Sequence, residues 1–131
     1  MAENKTQPGT ASVDDFLAAV PNDRRRNDAV ALNEFLTTRT GIEPVMWGSI
    51  VGYGTLHYKY ESGREGDTML VGFAPRAAAL TLYGLLNHGE SIQLSDDLGP
   101  HTKGKGCLYI KDLSAIDLAV LGRLVDRATE I

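Results

Sequence analysis

Cys107 is the only thiol in the sequence, and it could act as a nucleophile if His57 or His101 approached it. A neighbouring imidazolium favours the thiolate, and a base activates the thiol. At the head of the apolar run "CLYI", however, a lone cysteine reads first as a small hydrophobe, buried and inert. The histidines His57, His88 and His101 lack the spacing that would set two imidazoles on one metal, and a single cysteine excludes a thiolate-rich zinc site. "GPHTKGKGC", residues 99–107, places Lys103 and Lys105 among glycines whose backbone N–H groups can meet an anion. The simpler reading is a solvated connection. "GSIVGYG", residues 48–54, lacks the Gly-Lys-Ser/Thr ending of a P-loop and the strand-to-helix turn of a βαβ unit. Its glycines are expected instead to let Trp47 and Tyr53 fold back over a sheet. Asp14 with Asp15, and Asp96 with Asp97, are adjacent carboxylates that diverge on a helix and serve equally well as terminal charges. The basic run Arg24, Arg25 and Arg26 is short and flanked by Asp23 and Asp28, which does not suit a nucleic-acid groove.

The elements that must position these residues follow from periodicity. Residues 1–11 are polar and read as a disordered tail, leaving 12–131 as one domain. Ser12 has the character of an N-cap with Asp15 three residues on, and Phe16, Leu17 and Val20 recur on one face until Pro21. A second helix is expected from 22 or 23 to about 39, with Ala29, Leu32, Phe35 and Leu36 inward and Gly41 ending it. Leu56, Tyr58 and Tyr60 then alternate with Thr55, His57 and Lys59, the repeat of a half-buried strand whose first set faces the helices. "ESGREGDT" reads as a hairpin loop. Residues 69–74 are apolar on both parities and read as a central strand, followed by strands over 77–83 and 107–111. A closing helix is expected from a Ser114/Asp117 capping box, burying Ile116, Val120, Leu121, Leu124, Val125 and Ala128, with Gly122 a weak point of about 1 kcal/mol against Ala. The whole is an α+β fold, an antiparallel sheet with two N-terminal helices and one C-terminal helix packed on one face.

The bulk numbers set limits on function. A chain of 131 residues with 13 Lys+Arg against 17 Asp+Glu has a formal charge of -4, short of the positive excess that phosphate-backbone binding requires. Its apolar run over 77–86 is far below the roughly 20 residues of a membrane helix. No nucleic acid, membrane or cofactor is therefore expected. The single cysteine and the polar amino terminus point to a reducing cytoplasm.

Three long blocks, "EPVMWGSIVGYGTLHYKYESGREGD", "LVGFAPRAAALTLY" and "LGPHTKGKGCLYIKDLSAIDLAVL", resemble the YdhG-like domain family, a bacterial group, over about residues 13–125. The resemblance implies a compact α/β sandwich, an intracellular location and, for some members, a frataxin-like role in iron handling. Asp14 and Asp15 would be the iron ligands here. They are followed by Arg24 to Arg26 rather than by an acidic ridge, and a mixed-charge helix supplies few oxygen ligands. The expected function is a non-enzymatic accessory module that binds a small acidic metabolite or a protein through Trp47, Tyr53, His57, Lys59, Arg76, Lys103 and Lys105, with Trp47, Tyr53 and Arg76 gathered near one end. The alternatives are iron binding at Asp14 and Asp15, and an enzyme using Cys107 or His57.

Overall fold

A computed structural model describes residues 11–59, 61–63, 65–86, 89–104 and 107–129. The expected tail lies outside these except for Ala11. Helix α1 (Val13–Ala18) begins where the Ser12 hydroxyl accepts the Asp15 N–H at 3.1 Å. Helix α2 (Asp23–Thr40) begins where the Asn22 side chain accepts the Arg25 N–H at 2.9 Å, and ends at Gly41 with φ of 69°. Both starts satisfy an orphan N–H of the first turn. Ala29, Leu32 and Leu36 form the buried stripe of α2, with Phe35 half-buried against it.

The chain then forms β1 (Val45–Trp47), β2 (Ile50–Tyr53), β3 (Leu56–Lys59), β4 (Glu65–Thr68), β5 (Val71–Pro75) and β6 (Leu80–Tyr83). After a short helix α3 (Gly89–Leu94) and a 3-10 turn, Ser95–Asp97, come β7 (Thr102–Lys103) and β8 (Cys107–Ile110). A second 3-10 turn, Leu113–Ala115, leads to α4 (Leu118–Thr129). Six strands make one antiparallel sheet in the order β1-β2-β5-β6-β8-β7, while β3 and β4 pair as a separate two-stranded hairpin. Helices α1, α2 and α4 belong to the layer that covers one face of the main sheet. The α+β class and the placement of two helices before the sheet and one after it agree with the sequence.

The register separates the two faces. Val51, Phe73, Leu82 and Leu108 form one cross-strand row, all fully buried beneath the helices. The alternate rows, Gly52–Gly72–Tyr83–Cys107 and Ala74–Thr81–Tyr109–Thr102, lie on the opposite face, because side chains alternate along each strand. Trp47, cross-strand partner of Ile50, belongs to that opposite face and is nevertheless fully buried. Its indole lies against the Gly52 backbone, where any Cβ would collide with the ring. Its Nε1 has no hydrogen-bond partner.

Several expectations need correction. Most of "GSIVGYG" is β2, paired with β1 across the Gly48–Ser49 turn, and Tyr53 lies within that strand on the helix side and does not fold back with Trp47. The expected glycine roles hold, with positive φ at Gly48 and Gly54 and close approach of Trp47 at Gly52. "EGDT" is a strand, not a loop. It pairs with β3 so that His57 faces Asp67 and Lys59 faces Glu65 across the hairpin. β3 consequently belongs to its own hairpin and not to the main sheet. Tyr60, and the expected inward orientation of Leu56, Tyr58 and Tyr60, fall outside what is described. Asp117 caps α4, its carboxylate accepting from the Ala119 and Val120 N–H groups at 2.9 and 3.3 Å. Ser114 instead serves the 3-10 turn, donating its N–H to Asp112. The expected inner residues of the closing segment are all buried, and Gly122, expected only as a weak point, has a packing role: the Arg39 guanidinium lies 2.8–3.1 Å from where its Cβ would sit. Arg39 donates to both carboxylate oxygens of Asp126, at 2.9 and 2.7 Å, and these bonds hold the Asp126 carboxyl below its ordinary range.

Tyr53 is fully buried on the helix face, its hydroxyl on the Asn33 side chain of α2. Burial pushes the phenol well above its ordinary range. The folded protein therefore binds this proton more tightly than the unfolded chain. That contribution is complete below the unfolded pKa of about 10 and is lost as pH rises above it. Urea denaturation between about pH 9 and pH 11 is expected to show stability falling by up to about 1.4 kcal/mol per pH unit at the alkaline end. The fall should be smaller in Tyr53→Phe; an equal fall in both proteins would assign it to other groups.

Candidate ligand cleft at the end of β8

Strand β8 runs between β6 and β7 and alternates sharply. Leu108 and Ile110 are fully buried toward the helices, while Cys107 and Tyr109 are half-buried on the other face. Lys111 continues the outer set by parity. Ala78 and Ala79 of the β5–β6 turn rise on one side, and Pro100, His101 and Thr102 on the other, enclosing with Tyr109, Lys111 and Asp112 a cleft of about 460 Å³. The lining is mainly apolar with a few polar groups, the usual make-up of a small-ligand site.

The first turn of α2 fixes the position of Lys111. Arg24 pairs with Asp112, Arg25 donates to the Lys111 carbonyl at 3.1 Å, and Asp28 accepts the Leu113 N–H at 3.1 Å. The basic run thus clamps residues 111–113 to the helix, and Arg26 turns back to Asp23 and the Val20 carbonyl. Asp112 also accepts from the Ser114 hydroxyl at 2.6 Å, the main cause that holds its carboxyl below the ordinary range, with Arg24 contributing. Its charge is therefore compensated. No carboxylate among the described residues comes within 4.0 Å of the Lys111 ammonium, in contrast to Lys59 and Lys103. His101 donates from Nδ1 to the Gly99 carbonyl at 2.6 Å. Outside the lining, a Cβ on Gly104 would lie 2.6 Å from the Tyr109 hydroxyl and 2.8 Å from its ring, so the bare glycine backbone abuts the phenol.

The residues expected to bind do not gather into one surface. Trp47 and Tyr53 lie on opposite faces and are both fully buried. The Arg76 Nη1 donates to the Ser49 hydroxyl at 3.1 Å across the neighbouring turns. His57 and Lys59 lie on the separate hairpin, His57 2.7 Å from Asp67 and Lys59 4.0 Å from Glu65. Lys103 pairs with Asp96 at 3.3 Å. Lys105 and His88 lie outside the described residues. Cys107 is half-buried, not buried as expected, because Leu108 and Ile110 take the core parity. Asp14 and Asp15 are exposed in the first turn of α1, and among the described residues no group of three or more His, Cys, Asp or Glu is placed to hold a metal. Among the described residues no helix is long and apolar enough to cross a membrane.

A larger depression of about 730 Å³ lies between α1, α2 and β1. Among the described residues Asp14, Glu34 and Glu43 line it without a basic side chain, a lining that disfavours an acidic ligand. Tyr109 and Lys111 are the residues that sequence reasoning missed at the cleft. The alternation Cys107, Tyr109, Lys111 against Leu108, Ile110 was the signal for them.

No protein-family model matches the chain, and no curated protein or solved structure shows significant similarity to it. The resemblance to the YdhG-like family rests on the sequence blocks alone.

Proposed function

We propose that this chain is a non-enzymatic, YdhG-like binding module of the cytoplasm that takes a small acidic ligand with an apolar body in the cleft beside β8. The observation that carries the reading is that one cleft is lined by the apolar groups of Ala79, Pro100 and Tyr109 together with Lys111, whose ammonium has no described carboxylate within 4.0 Å. The ligand's body covers the Tyr109 ring, and its acid group meets Lys111. The remaining polar groups suit holding an acid rather than reacting with one: Asp112 is engaged by Arg24 and Ser114, and His101 by the Gly99 carbonyl.

Calorimetric titration with benzoate, a minimal flat acid, tests this. The wild-type protein is expected to show a saturable site that Gly104→Ala weakens about tenfold, equivalent to about 1.4 kcal/mol of lost contact. The new methyl must displace the tip of the Tyr109 side chain, a flexible end, so the melting temperature should change little. Unchanged affinity in Gly104→Ala, or no heat of binding in the wild type, would contradict the reading.

A further inference from the structure

Resting on the binding reading above, we infer that the cleft selects a hydroxylated carboxylate of aromatic size over a plain acid or a plain alcohol. Three groups around the cleft make different demands. Lys111 offers only donors and a positive charge, so it asks for an anionic acceptor. His101 is fixed differently: with Nδ1 donating to the Gly99 carbonyl at 2.6 Å, the neutral ring carries its free lone pair on Nε2. That nitrogen asks for a donor, which a carboxylate lacks and a hydroxyl supplies. Tyr109, half-buried and abutting the Gly104 backbone, offers a ring against which a flat body stacks or lies edge-on.

Asp112, the one carboxylate lining the cleft among the described residues, does not oppose this ligand. Its oxygens already serve the Ser114 hydroxyl and N–H and the Arg24 guanidinium. A volume of about 460 Å³ lies within the range of small-molecule sites and accommodates a single substituted ring. A buried site that hydrogen-bonds a ligand hydroxyl discriminates strongly against the analogue lacking it. Here the cleft is open on one side, so the discrimination is expected to be smaller.

The test is nuclear magnetic resonance titration of the ¹⁵N-labelled protein with the three hydroxybenzoate isomers, benzoate and 4-hydroxybenzyl alcohol. At least one hydroxybenzoate is expected to bind about tenfold more tightly than both benzoate and the alcohol, with amide shifts at Ala79, Thr102, Tyr109 and Lys111. Lys111→Met should remove its advantage over the alcohol, and His101→Ala its advantage over benzoate. If all the probes shift these amides with equal affinity, the cleft is a binding site but the ligand class is wrong. If none shifts them, the binding reading falls and this inference falls with it. The wild-type comparison stands even where a variant folds poorly.

Discussion

Trp47→Ala is expected to destabilise the protein by about 3–5 kcal/mol, the range for truncating a large buried aromatic. The size of the effect is informative because Trp47 lies on the sheet face away from the helices, where a helix-layered fold would be expected to have its thinner side. Its complete burial against the Gly52 backbone gives that face a core of its own. Trp47→Phe should cost less than the alanine change. It keeps much of the apolar body and removes an N–H that is buried without a partner, a group that costs about 1–3 kcal/mol to leave unsatisfied. Urea denaturation of the three proteins checks both statements. A loss below about 1 kcal/mol for Trp47→Ala would mean that this face is not packed as described.

Phe73→Ala, on the opposite face of the same sheet, is expected to cost a similar amount, about 3–5 kcal/mol. Phe73 sits in the middle of β5 between Val51 and Leu82, fully buried beneath α2 and α4. Removing the ring leaves a cavity that the flanking strands, fixed by their ladders, can close only partly. The two sites lie on different faces, and Phe73 belongs to the main hydrophobic cluster while Trp47 does not. Their effects should therefore add within about 0.5 kcal/mol in the double variant if that variant still folds cooperatively. Strong coupling between them would show that the two sides of the sheet form one continuous packing unit.

The helices were the most legible part of the sequence because their signals are local. Ser12, Asn22 and Gly41 mark ends, and the apolar stripes of α2 and α4 repeat over several turns. The strands were legible only where alternation was clean. Leu56–Lys59 was recognisable as a strand, but its partner was not, since "EGDT" has neither strand propensity nor apolar alternation and is a strand by its cross-strand pairing with β3. Glycine density at residues 48–54 was legible as close approach and positive φ, and Gly52 does make room for Trp47, but the strand that runs through these residues was not. The site was hidden for a related reason. "CLYI" is apolar at every position, which masks the parity that places Leu108 and Ile110 in the core and Tyr109 outside. The clamp of Arg24, Arg25 and Asp28 on residues 111–113 spans more than 80 positions, and no local pattern encodes such a contact.

The claim that the β8 cleft is a ligand site is tested most directly by intermolecular nuclear Overhauser effects between benzoate and the protein. The expected result is a set of contacts from the benzoate ring protons to the Ala79 methyl, the Tyr109 ring and Pro100, apolar groups that line the cleft. Contacts confined to another surface, such as the depression beside Asp14 and Glu34, or no contacts under conditions where a control aromatic-acid binder shows them, would contradict it.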